Sequence, residues 1–144
     1  MAVKTIGEEK VAILNLVRSV VGVRSFYEYE PKVLAGLPAI TIQFAGIPAA
    51  QAATLRHARQ DRQYDVRLYV GLEDMKIAQE TMEELIIDVW DKLVAAQRLG
   101  DGANVILTSV GDTQINWITD ERAQRMYLEG KVRVETNHRS PYVT

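Results

Sequence analysis

The chain has no cysteine. That excludes a disulfide framework, a thiolate zinc site and a cysteine nucleophile. Histidine is nearly absent as well: His57 and His138 are the only two, which excludes a multi-histidine metal site. No apolar run approaches the roughly 20 residues that a membrane-spanning helix needs. Residues Met1 to Lys10 carry charges where a secretory leader has an apolar stretch, so the reading is a soluble protein used without secretion. Nine glycines and 4 prolines are too few for a disordered or collagen-like chain. Neither charge sign dominates, with 17 basic against 19 acidic residues, so no global basic field draws in nucleic acid. What remains is ordinary: 144 residues, 47% apolar and 25% charged, the profile of one globular domain.

Periodicity supplies the elements. Residues Glu8 to Val21 place Val11, Leu14, Val17 and Val21 at helical spacing, with Ile13, Leu16 and Val20 beside them, between Gly7 and Gly22. The apolar arc of this helix is wide, so it touches more than one neighbour. Phe26 to Glu30 alternates weakly. Ala39 to Phe44 is strand-like, with Ile40, Ile42 and Phe44 on one face. Residues 45–61, alanine-rich and ending in basic residues, read as a protruding arm, with a short helix after Pro48 as the competing reading. Arg62 to Val70 alternates cleanly, Tyr64, Val66, Leu68 and Val70 sharing a face. Asp74 to Arg98 predicts a long helix, opened by acids and closed by bases as the helix dipole favours. Short strands follow at Val105–Leu107 and Ile115–Trp117, then a long one at Met126–Thr136. Gly130 lies on the apolar face of that last strand and marks a bulge or a close backbone approach. Residues 137–144 read as a C-terminal tail. Adjacent strands without crossover helices predict an α+β domain: a mostly antiparallel sheet with two helices packed on one face.

A search for chemistry finds little. No Gly-x-Ser-x-Gly elbow, phosphate-binding loop or His-Glu-x-x-His occurs, and the stretch Gly100 to Gly102 follows a helix where a nucleotide loop follows a strand. His57 sits in a charged segment and His138 in the tail, so neither reads as a general base. No catalytic residue, metal ligand or cofactor contact is assigned, and the chain is read as a non-enzyme. The long helix carries a net charge of −5 between Glu73 and Lys92. Carboxylates spaced by three and four can hold magnesium, but the same spacing makes a solvated or docking face. On this helix Ala78, Met82, Leu85, Val89, Leu93 and Ala96 form one stripe suited to the sheet. Ile87, Trp90 and Val94 form a second facet. That facet is either a subunit interface or the seat of the N-terminal helix within the monomer. Arg56, Arg59 and Arg62 lie in or beside the arm and are candidates for docking contacts. Opposite charge on the arm and the long helix favours head-to-tail self-association or a charged partner.

Three stretches together resemble a known family. They are Gly36-Leu-Pro-Ala-Ile-Thr-Ile42, then Asp61-Arg-Gln-Tyr-Asp-Val-Arg-Leu-Tyr-Val70 before an acidic helix, then Trp117 followed by Met126 to Thr136. In element order, size and texture they resemble the tail-terminator and tail-completion proteins of long-tailed phages, the minor tail protein U-like group. The resemblance implies an α+β subunit of a hexameric ring in the virion, assembled in the host cytoplasm. Such a ring caps the tail tube, stops its elongation and offers the surface that joins the head. The implied partners are further copies of the chain, the tail tube protein and a head–tail connector. Genomic DNA would pass the lumen without sequence-specific binding, and no membrane is involved. The arm 45–61 and the tail 137–144 would reach neighbouring rings. Within the same class the alternatives are a head-completion or connector ring and a tail tube subunit. From another class, a small ligand-binding regulatory α+β domain fits the fold by analogy.

Overall fold

The structure is a computed structural model, and it describes residues 5–29, 36–47, 59–71, 74–96, 105–120 and 125–139. Element order is α1 (Ile6–Val17), β1 (Ser25–Tyr27), β2 (Ala39–Gly46), β3 (Arg59–Gly71), α2 (Met75–Ala95), β4 (Val105–Asp120) and β5 (Arg125–Arg139). The five strands form one sheet in the order β1-β2-β3-β5-β4. Every pairing is antiparallel except β1 with β2. The fold is therefore α+β, with both helices on one face of a mostly antiparallel sheet.

Alternation along the strands explains that face. Ile40, Leu68 and Gly130 are cross-strand partners, as are Ile42, Val66 and Val132, and Phe44, Tyr64 and Val134. The apolar members of these rows, Phe44 apart, are buried and join α1 and α2 in one core. On α1, Ile13, Leu14 and Val17 face inward. On α2 the inward stripe is Ala78, Met82, Leu85, Ile86, Val89 and Leu93. Gly130 is where the helix comes closest to the sheet. A Cβ there would stand 2.5 Å from the Met82 sulfur and 3.0 Å from Ile86 Cδ1. Of the two expectations for this glycine, the close approach holds; the register shifts of the sheet lie elsewhere, in β2 and β4.

The opposite face of the sheet is polar. Arg133 donates to both oxygens of Asp65, at 3.0 and 3.4 Å, and Gln63 donates to Glu135 at 3.2 Å. Arg67 lies 4.0 Å from the same Asp65. These contacts tie β3 to β5 across that face.

Several boundaries differ from expectation. The first helix begins at Ile6, with Gly7 inside it. Thr5 caps it in a reciprocal box with Glu8, at 3.1 and 3.3 Å. It ends at Val17, not Val21, and the chain then turns through Gly22, whose φ of +95° suits a residue without Cβ. Of the residues expected to form an arm, 45 and 46 belong to β2 and 59–61 to β3. Residues 48–58 lie outside the described residues. The two short strands after the long helix are one strand of 16 residues, interrupted by register shifts at Leu107/Ser109 and Gly111/Gln114. The tail begins later than 137, since β5 runs to Arg139.

One charged residue belongs to the core. Glu9 is fully buried, and its Oε1 accepts from Arg62 Nη1 at 2.6 Å and from the Tyr64 hydroxyl at 2.8 Å. This ties α1 to the middle strand of the sheet. A buried carboxylate is retained only when paired and hydrogen-bonded in this way. Glu9→Ala strips the counter-charge from a largely buried guanidinium and should cost about 3–5 kcal/mol in urea unfolding. Burial first, and the Glu9 carboxylate second, push the Tyr64 phenol well above its ordinary value. Above about pH 10 the unfolded chain's tyrosine ionises while native Tyr64 keeps its proton. Stability should therefore fall as pH rises through that range, and Tyr64→Phe should flatten the slope in pH-dependent melts.

Candidate interaction surface

The surface is built on α2. Asp74 caps its N-terminus, its Oδ1 accepting from the backbone amides of Lys76 and Ile77 at 3.0 and 3.2 Å. From Met75 to Ala95 the helix then runs uninterrupted. Each residue turns the chain by about 100°, so Ile87, Trp90 and Val94 fall within an arc of about 60°, some 110° from the buried stripe. All three are exposed, at 58%, 39% and 47%. α1 does not cover this facet. Of the two readings open from sequence, the monomer's own helix is excluded as the cover.

Carboxylates border the apolar facet. Glu80, Glu83, Glu84 and Asp91 are exposed along the same side, with Lys76 near the helix start. Among the described residues, no group of three or more His, Cys, Asp or Glu is placed to hold a metal ion. No helix of the described residues is long and apolar enough to cross a membrane.

Two further features lie near α2. Strand β4 is an edge strand, and among the described residues nothing pairs with its outer side. From Gln114 to Asp120 its register is unbroken, with Trp117 opposite Leu128. Ile115, the cross-strand partner of Gly130, is 44% exposed. The run Gln-Ile-Asn-Trp-Ile-Thr ahead of Asp120 has no lysine or proline of the kind that blunts open edges. The second feature is the turn after α1. Val21 projects from it at 87% exposure, and Arg18 and Arg24 flank it, also exposed. The turn borders a shallow groove on another side of α2, lined by Ser19, Val21, Asp88, Asp91, Lys92 and Ala95.

The structure does not bring the arginines named from sequence together with the helix facet. Arg62 points inward to Glu9. Arg59 opens β3, and Arg56 lies outside the described residues. His57 also lies outside them, and His138 is in β5, registered between Gln60 and Val105. Two residues escaped the sequence reading. Helical spacing places Val21 in the apolar arc of the first helix, whereas Gly22 directly after it signals a turn. Glu9 is charged and stands outside the apolar pattern, yet Glu9, Ile13 and Val17 recur at four-residue spacing on one helical face.

No family model matches the chain, and no curated protein matches it. The surface is therefore read on its own chemistry. Trp90→Lys should change unfolding free energy by less than about 1 kcal/mol, because the indole is partly solvated. Met82→Lys, which buries a charge in the core, should prevent folding under the same conditions. Circular dichroism melts of the two variants provide the comparison.

Proposed function

We propose that the protein is a non-enzymatic virion subunit of the tail-terminator type, assembling into a ring that caps a phage tail tube and presents the head-joining surface. The observation that carries the reading is the exposed facet of Ile87, Trp90 and Val94 on a well-capped helix. Three clustered apolar side chains including a tryptophan are costly to leave in water and are the usual core of a subunit contact. The resemblance in residues 36–42, 61–70 and 126–136 supplies the kind of assembly. The α+β fold, with its long open edge at β4, is compatible with lateral contacts between subunits. In this reading the partners are further copies of the chain, the tube protein below and a connector above, with DNA passing through the lumen. A connector ring or a tube subunit would use the same facet, and which end of which ring the protein binds separates them.

The test is assembly. Light-scattering mass on a size-exclusion column, across a wide concentration range, should show a large species, and negative-stain images of it should show six-fold rings. Added to polymerising tail tubes, the protein should halt their growth. Trp90→Lys should shift the mass toward monomer by weakening assembly about tenfold or more. A chain that neither forms rings nor caps tubes, and whose melting temperature rises with a small-molecule ligand, would overturn the reading in favour of a regulatory domain.

A further inference from the structure

The most exposed large apolar side chain among the described residues is not on the α2 facet. It is Val21, at 87% exposure, on the turn between α1 and β1. Arg18 and Arg24 stand exposed on either side of it in the chain. Arg18 is steadied by the side chain of Asn15 at 3.2 Å and by the Phe26 ring, 5.6 Å from its centroid. The turn is thus an apolar knob between two positive charges. The α2 facet is its counterpart: an apolar patch of Ile87, Trp90 and Val94 bordered by Glu80, Glu83, Glu84 and Asp91.

The two surfaces do not meet within one copy. The turn borders α2 at Asp88, Asp91, Lys92 and Ala95, beside the acidic edge of the facet, and Ile87, Trp90 and Val94 do not line that groove. We propose that the Arg18–Val21–Arg24 turn of one copy docks on the Ile87–Trp90–Val94 facet of the next. The occupant of the facet is a second copy of this chain, chosen because both surfaces are exposed and apolar and the charges beside them are opposite. Because two different patches of the same chain meet, the contact can run head to tail, each copy offering its turn to one neighbour and its facet to another. Repeated, it propagates from copy to copy and closes into a ring when the rotation between copies permits. This deepens the ring reading and rests on it for the closure, though not for the contact.

Two variants each disable one surface. Val21→Asp places a carboxylate on the knob, facing the acidic border. Ile87→Asp strips apolar area from the facet and repels the carboxylate that Val21→Asp places on the knob. Both positions are exposed in the monomer, so both variants should melt within a few degrees of the parent chain. Each alone should be monomeric at concentrations where the parent assembles. Mixed, they should form a 1:1 dimer by light scattering, because one retains an intact facet and the other an intact knob. Capped at both ends, that dimer grows no further. A Val21→Asp variant that assembles like the parent would overturn the contact and leave the ring reading standing. So would a mixture that stays monomeric while the parent assembles. A parent chain that is monomeric at all concentrations would overturn the contact, and tube capping then decides the ring reading separately.

Discussion

The Glu9 carboxylate has to reach both the Arg62 guanidinium and the Tyr64 phenol, and that requirement places α1. Arg62 and Tyr64 lie on the helix-facing side of β3, the middle strand of the sheet. A buried ion pair is a poor source of net stability, because desolvation takes back most of the Coulombic gain. It is a strong source of register, since a shifted helix would leave a charge buried alone. With Glu9 held there, Ile13, Leu14 and Val17 cover β2, and α1 lies on one side of α2. The other side of α2 is left without a neighbour from α1. The exposed facet and the projecting turn both follow from where α1 is held.

Gly130 imposes the second constraint. With no side chain at that position, Met82 and Ile86 come down onto β5. Seating α2 so close fixes its rotation, and rotation decides which residues face water. Ile86 is buried, while Ile87, one residue on, is exposed. The apolar content of α2 exceeds what one buried stripe can absorb. The surplus appears at Ile87, Trp90 and Val94 and nowhere else along the second half of the helix.

Much of this was legible in the sequence, and the remainder was hidden for identifiable reasons. Clean period-two alternation in residues 62–70 and the 3.6-residue stripe on the long helix are local signals, and both elements stand where they were expected. Strand β4 read as two fragments because its register shifts at Leu107/Ser109 and Gly111/Gln114 break the alternation that marks a strand. Strand β1 has only three residues and pairs parallel, so it carries almost no periodic signal. The burial of Glu9 carries no local sequence signal of pairing, because its partners are 53 and 55 positions away in the chain. Whether α1 would cover the Trp90 facet depended on the relative placement of two helices, which no single-helix pattern contains. The site residues on α2 were accessible to sequence reasoning; their exposure was not.

The charge around these surfaces limits which of them could meet between copies of the chain. Two exposed apolar patches on one small protein invite indiscriminate sticking. Facet against facet brings four carboxylates up to four, and knob against knob sets arginines against arginines. Both like-with-like contacts are therefore penalised, and only the unlike pairing escapes the repulsion. At high ionic strength, with a screening length of about 3 Å at 1 M salt, this discrimination weakens while apolar burial persists. In the proposed contact the acidic border of α2 selects the unlike pairing, and Trp90 and its neighbours supply the affinity.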